Sequence, residues 1–134
     1  MVKKINYSKR AVIITAEGFE DEEVIYPVIR LKEDGFSVDI ATKGAKLVLG
    51  RLNFPLELIV RYYGKLTDAT KLNPKNYDMV LIPGGFEAPD RMRQVPEILE
   101  FVRQMNKQKK EFFYDYTKNN IHPFHHQAVL ESQL

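Results

Sequence analysis

The stretch AVIITAEGFEDEE, residues 11–23, decides the fold of this chain. It begins with a continuous apolar run, which is typical of a strand buried on both faces of a sheet. Gly18 follows, and then come four consecutive carboxylates that end at Glu23. Acidic residues in the first turn of a helix complement its dipole, so the stretch predicts strand, tight turn and helix. The turn would then lie at the carboxyl edge of a sheet, where open α/β folds bind ligands.

Composition sets the broad class. The 134 residues are 44% hydrophobic and 28% charged, which predicts a single globular domain over residues 1–134. The net charge of +2 is too small to indicate nucleic-acid binding. The basic residues Lys3, Lys4, Lys9 and Arg10 are expected to form a solvated arm before the first strand.

The sequence also bears on location and chemistry. No apolar run approaches the length that spans a membrane and no signal-peptide pattern is present, so we expect no membrane partner and a cytoplasmic location. The sequence contains no cysteine. Disulfides, thiolate metal sites and a cysteine nucleophile are therefore excluded within it.

The first helix is predicted over residues 19–34, because apolar residues recur at helical spacing and Gly35 stands where a C′ glycine belongs. Pro27 lies inside this helix. It either kinks the helix beside the acidic turn or merely bends it over the sheet. A second strand is predicted over residues 36–41, where apolar and polar residues alternate.

The middle of the chain predicts a hairpin. Its two strands would cover residues 46–49 and 54–62 and join around residues 50–53. The polar stretch of residues 64–76 is predicted to be a loop, with or without a helical turn in it.

The last part of the chain alternates strands and helices again. A buried strand over residues 79–82 runs into the glycine turn Gly84-Gly85, and a short helix is predicted over residues 88–93. Pro96 is well placed in the first turn of the next helix, and residues 112–114 form a last candidate strand. This order predicts a mostly parallel sheet with helices on both faces.

Two stretches, the strand and acidic turn of residues 11–23 and the strand and glycine turn of residues 79–85, together resemble the ThiJ/PfpI superfamily. This superfamily includes PfpI-type intracellular peptidases and glyoxalase-like or chaperone-like proteins. The resemblance covers residues 10–110, and its matching stretches are residues 15–27, 30–35 and 77–85 with the dipeptide at 88–89. It implies an α/β, flavodoxin-like three-layer sandwich with a mostly parallel sheet.

The resemblance also implies roles for particular residues. Glu23 matches the glutamate that hydrogen-bonds the family's nucleophilic cysteine, and Glu20 matches a second acidic position. Gly84 and Gly85 match the turn whose backbone N–H groups form an oxyanion hole. In such a site a thiolate attacks a carbonyl, and the fixed donors stabilise the resulting oxyanion. The resemblance further implies a small carbonyl or peptide ligand, a homo-oligomer of two or more copies, and no cofactor.

The chain departs from the family pattern at its end. The nucleophile would fall near Tyr116, yet there is no cysteine and no histidine beside it. Residues 111–134 form a divergent tail, so the fold is expected to be truncated at its C-terminus. A frameshifted end is one hypothesis, which translation of the other two reading frames tests. We therefore expect a pseudoenzyme, inactive in cysteine hydrolase or glyoxalase chemistry. The alternative is a non-catalytic binding or oligomeric interaction protein that uses the same sheet-edge pocket.

Two clusters leave alternatives open. Glu20 and Glu23 share a helix face at a spacing of three, where they either hold a proton between them or are solvated charges of the first turn. His122, His125 and His126 are the only histidines. They are weak candidates for metal ligands, and the other interpretation is a tail without a ligand role, so no metal site is predicted.

Overall fold

The computed structural model describes residues 9–85, 87–108 and 110–114, with the backbone alone for residues 111–114. One parallel sheet has the strand order β3-β2-β1-β4-β5. Its strands are β1 (Arg10–Ile14), β2 (Ser37–Thr42), β3 (Lys65–Asp68), β4 (Met79–Ile82) and β5 (Glu111–Tyr114). The helices are α1 (Asp21–Glu33), α2 (Leu56–Tyr62), α3 (Ala88–Arg93) and α4 (Pro96–Lys107).

The connections place helices on both faces of the sheet. The chain steps from β1 to β2 to β3 in one direction through α1 and α2, and from β4 to β5 in the other direction through α4. Crossovers between parallel strands are right-handed, so these two sets of helices lie on opposite faces. The predicted α/β, flavodoxin-like architecture with a mostly parallel sheet is confirmed.

The central strand β1 is buried on both faces, as its apolar run predicts. Val12, Ile13 and Ile14 are all fully buried. Each such side chain contributes about 1.5–3 kcal/mol of hydrophobic stabilisation. Both neighbours of this strand, β2 and β4, pair with it in parallel register, so its carboxyl end lies at the centre of the sheet edge.

Helix α1 begins at Asp21, two residues later than predicted, because Phe19 has another role. Phe19 is fully buried and forms isolated bridges with Gly50 and Gly85. At the other end the predicted C′ glycine is confirmed: Gly35 follows the helix with a φ of 87°. The helix continues through Pro27, and a kink there stays a prediction.

The predicted hairpin over residues 46–62 is wrong. Its second half is helix α2, and only an isolated bridge joins Leu49 to Pro55. The helix forms because Leu56 and Ile59, three residues apart, both reach the core, which is helical spacing. The predicted loop over residues 64–76 is also corrected, since it contains β3, which pairs with β2 at the sheet edge.

The C-terminal elements follow the predictions closely. Strand β4, helix α3 and the start of α4 at Pro96 are confirmed, and β5 begins one residue before the predicted strand. Helix α4 buries Ile98, Val102 and Met105. It also buries Phe101, which packs edge-on against the ring of Tyr77 at 6.0 Å between centroids.

A buried polar cluster lies near the amino ends of the strands. The Asp39 carboxylate accepts hydrogen bonds from Arg10 Nη2 at 2.8 Å and from the Tyr77 hydroxyl at 2.6 Å. Arg10 is therefore part of the fold, and its prediction as a solvated arm residue is wrong. Burial, and then the hydrogen bond to Asp39, raise the pKa of the Tyr77 hydroxyl above its ordinary value. In the described part of the chain, no helix has the length and apolar character to cross a membrane.

Candidate functional site

Three chain segments meet at the carboxyl edge of the sheet, around Phe19. The Gly18 N–H donates to the Leu49 carbonyl at 2.9 Å, and the Arg51 N–H donates to the Phe19 carbonyl at 2.7 Å. Gly85 closes the third side with a φ of 139°, and a Cβ there would lie 2.5 Å from the Gly18 carbonyl oxygen. No other residue fits at this position, because L side chains rarely adopt such a φ and the backbones already touch.

The structure brings together the predicted acid and the predicted oxyanion turn. Glu23 Oε2 accepts a hydrogen bond from the Gly84 N–H at 2.7 Å. The carbonyl of Gly84 in turn accepts a hydrogen bond from the Glu20 N–H at 3.0 Å. The N–H of Gly84 is therefore already bonded to a carboxylate and does not point at an empty position.

Glu20 has a different partner. It is the N-cap residue of α1, but its side chain makes no capping hydrogen bond. Its Oε2 instead lies 3.4 Å from Nε of Arg51. Both side chains are partly exposed, so this ion pair contributes only about 0–1 kcal/mol. Whether Glu20 and Glu23 share a proton stays a prediction.

Two further carboxylates have structural roles that the sequence did not reveal. Asp21 is 5% exposed, and both of its carboxylate oxygens accept from the Leu52 N–H, at 3.3 and 3.2 Å. Glu17 Oε2 accepts from the Leu49 N–H at 2.9 Å. Such bonds to a charged acceptor contribute about 1.5–3 kcal/mol each. We call Glu17, Glu20 and Asp21 the acidic clamp, because all three hold the segment of residues 49–52 against the start of α1.

A cavity of about 610 Å³ opens at the same edge of the sheet but on the α4 side. Its walls come from the ends of β1 and β2, from residues 43–49, and from helices α3 and α4. The lining residues are Thr15, Ala16, Glu17, Thr42, Lys43, Lys46, Leu47, Val48, Leu49, Arg91, Met92, Val95 and Ile98. The predicted site residues Glu20, Glu23, Gly84 and Gly85 are not among them. The cavity is therefore separate from the predicted catalytic turn.

One cavity residue carries an unsatisfied polar atom. Thr15 is fully buried, and its hydroxyl has no hydrogen-bond partner in the described structure. An unpaired buried hydroxyl costs about 1–3 kcal/mol relative to a bonded one. The sequence alone does not reveal this feature, since a lone threonine gives no signal of this kind.

The remaining predicted positions cannot be placed. Tyr116, His122, His125 and His126 lie outside the described residues. Within the residues that the structure does describe, no group of three or more histidines and carboxylates is arranged to hold a metal ion.

Comparison with known proteins identifies the family of this chain. The sequence model of the DJ-1/PfpI family matches residues 9–113. Among curated proteins, the chain is 32% identical over 96 residues to Deglycase PH1704 of Pyrococcus horikoshii, covering 72% of this chain and 53% of that protein. It is 30% identical over 101 residues to the Parkinson disease protein 7 homolog of Danio rerio, covering 75% and 51%.

Solved structures give the same answer for the fold. The structure of VC2308 protein superposes with a TM-score of 0.70 at 24% identity, covering 80% of this chain and 52% of that one. Drosophila melanogaster DJ-1beta superposes with a TM-score of 0.68 at 19% identity, covering 80% and 54%. The chain belongs to the DJ-1/PfpI family, within the ThiJ/PfpI superfamily. It spans about half the length of the curated relatives it matches.

Proposed function

We propose that this polypeptide does not perform the cysteine chemistry associated with its family and acts instead as a non-catalytic binding protein. Its sequence has no thiol to serve as nucleophile. The observation that carries the proposal is the 2.7 Å hydrogen bond from the Gly84 N–H to Glu23. A donor that already binds this side chain is not available to stabilise an oxyanion.

The first test is a turnover assay. Methylglyoxal, a peptide amide and a glycated amino acid are offered to the purified polypeptide, with the Pyrococcus horikoshii deglycase as the positive control. We expect no turnover above the buffer rate. Turnover that disappears in Glu23→Ala but survives in Glu22→Ala would overturn the proposal. Glu22 is the matched control, because it is exposed and adjacent in the same helix turn.

A second test measures the role of Glu23 directly. If Glu23 holds the glycine turn, the Gly84 amide should exchange with solvent slowly in the wild type and at least about tenfold faster in Glu23→Ala, because a charge-assisted bond is lost. Hydrogen exchange followed by NMR gives this rate, and Glu22→Ala should leave it unchanged. Equal protection of the Gly84 amide in all three proteins would contradict a structural role for Glu23.

Self-association is the second candidate for the interaction function. Leu47, Leu49 and Leu52 are 51%, 43% and 64% exposed within one short segment, and a cluster of exposed leucines favours a contact surface. We expect a homo-oligomer of two or more copies in sedimentation velocity, and dissociation on Leu52→Glu but not on Leu58→Glu. A monomer at high micromolar concentration would exclude this candidate.

A further inference from the structure

The cavity beside helices α3 and α4 has a lining with two distinct parts. Its deep wall is apolar and includes Val48, Met92, Val95 and Ile98, all of which are buried. Its rim carries charge. A pocket of this volume, in which polar groups at one side can orient a ligand against an apolar wall, is the usual form of a small-molecule site.

The charges at the rim are mainly positive. Lys43 and Lys46 are exposed, and neither ammonium group is in an ion pair or hydrogen bond with another described residue. Arg91 also lines the cavity, but its guanidinium pairs with Glu87 at 2.8 Å. Among the described lining residues, the only carboxylate is that of Glu17, which is bonded to the Leu49 N–H. An anion at the rim would therefore meet two unpaired ammonium groups.

The unpaired hydroxyl of Thr15 belongs to the same cavity lining as these lysines. Strands β1 and β2 pair Ile14 with Ala41, so Thr15 and Thr42 follow at the same level of the sheet edge. Thr42 fixes the turn that carries both lysines, since its hydroxyl donates to the Lys46 carbonyl at 2.6 Å. Buried hydroxyls are normally hydrogen-bonded, so the Thr15 hydroxyl is a donor that remains available to a ligand.

We propose that the cavity binds a small amphipathic carboxylate. The apolar chain of the ligand packs on the wall of Val48, Val95 and Ile98, and its carboxylate meets Lys43 and Lys46 at the rim. The hydroxyl of Thr15 donates a hydrogen bond to the same head group. This proposal rests on the non-catalytic binding function and names its ligand class.

Octanoate is the probe, and octan-1-ol is its uncharged control. Titrations of the whole chain at low salt are followed by NMR, so that affinity and location are read together. We expect octanoate to bind at least about tenfold more tightly than octan-1-ol, since the head group is charged, with shifts centred on Val48 and Val95. Shifts centred elsewhere, equal affinity for the two probes, or no binding at millimolar octanoate would overturn the proposal.

Variants then test the named groups. The double variant Lys43→Gln/Lys46→Gln should bring octanoate down to the affinity of octan-1-ol, whereas the exposed pair Lys71→Gln/Lys75→Gln should change nothing. If both pairs weaken octanoate equally, the effect is general electrostatics and the site is refuted.

Thr15→Val separates ligand binding from folding. It removes a hydroxyl that has no partner, so the urea midpoint should stay the same or rise, while octanoate affinity falls about fivefold. An unchanged octanoate affinity would remove Thr15 from the site. Failure of octanoate to bind overturns the ligand class, whereas methylglyoxal turnover overturns the non-catalytic function, so the two failures are distinguishable.

Discussion

Replacing Gly50 by alanine should disrupt the acidic clamp through a direct clash. A Cβ built on Gly50 lies 1.9 Å from Asp21 Oδ1, 2.6 Å from Asp21 Cγ and 3.0 Å from Phe19 Cε2. The backbone of Gly50 is not in the left-handed region, so alanine brings no conformational penalty of its own. Asp21 is 5% exposed and has little room to move. The cost of Gly50→Ala is therefore the cost of displacing Asp21.

The magnitude follows from what Asp21 loses. Overpacking costs about 1–3 kcal/mol, and displacing the carboxylate from the Leu52 N–H removes a charge-assisted bond of about 1.5–3 kcal/mol. The two costs do not add in full, because displacing the carboxylate relieves part of the overpacking. We therefore expect Gly50→Ala to lower the free energy of unfolding by about 2–4 kcal/mol. Asp21→Ala should lose about 2–3 kcal/mol, since it removes the same bond and a carboxylate at a helix N-terminus.

A double-mutant cycle tests this reasoning. With Asp21 truncated, the added Cβ no longer meets the carboxylate, so the double variant should lose only about 2–4 kcal/mol and the coupling should be about 1–3 kcal/mol. Urea unfolding followed by far-UV circular dichroism measures all four free energies. If the two single losses simply add, the clash with Asp21 is not the cause and the acidic clamp does not hold residues 49–52 as described.

Two further predictions concern pH. The raised pKa of the Tyr77 hydroxyl means that the unfolded chain loses this proton first, so stability falls as pH rises above about 10. Tyr77→Phe should lose about 1.5–3 kcal/mol at neutral pH and show a shallower fall, measured by urea unfolding across the alkaline range; an equally steep fall would contradict the role of Asp39 as acceptor. Hydrogen bonds from the Thr70 N–H and hydroxyl lower the pKa of the Asp68 carboxyl, so its contribution is present above the ordinary value of 3.8 and is lost as pH falls below it. With Asp68→Asn, the free energy of unfolding should fall less steeply as the pH decreases in the acid range. An equally steep fall would exclude this group as its source.

The sequence predicts the centre of the sheet well because one kind of interaction dominates there. In β1 and β4 the pattern needed for burial on both faces is a short apolar run, and the adjacent glycines mark where each run ends. Helices α3 and α4 were equally predictable, since Pro96 marks the start of the longer one. These patterns involve residues that are close together in the sequence, so they can be recognised without knowledge of distant contacts.

The segment of residues 54–62 shows where this reasoning fails. Its aromatic and β-branched residues favour a strand, and Pro55 suits the start of one. The helix prevails because Leu56 and Ile59 fit the core together only at helical spacing. Tertiary packing thus overrides a local preference, and a single sequence does not show which face will be covered.

The candidate site was likewise only partly predictable from the sequence. Glu23 and the Gly84 turn could be brought together from the resemblance, but Asp21 and Glu17 could not be assigned. Their partners are backbone N–H groups about 30 residues away, and every residue except proline carries such a group. The sequence shows a dense acidic turn, but it does not show that the turn clamps a second segment. For the same reason the unpaired hydroxyl of Thr15 emerges only from the structure.

The bond between Glu23 and Gly84 explains how this acid can persist without a nucleophile. It joins the first turn of α1 to the turn after β4 across 61 residues of sequence, so it stabilises the fold whether or not chemistry occurs beside it. An oxyanion hole that used the Gly84 N–H would first require Glu23 to release it, because one donor cannot serve the Glu23 side chain and an oxyanion together. The same contact therefore favours the folded state and occupies one of the donors that an oxyanion would need. Glu23 therefore has a structural role that does not depend on a thiol.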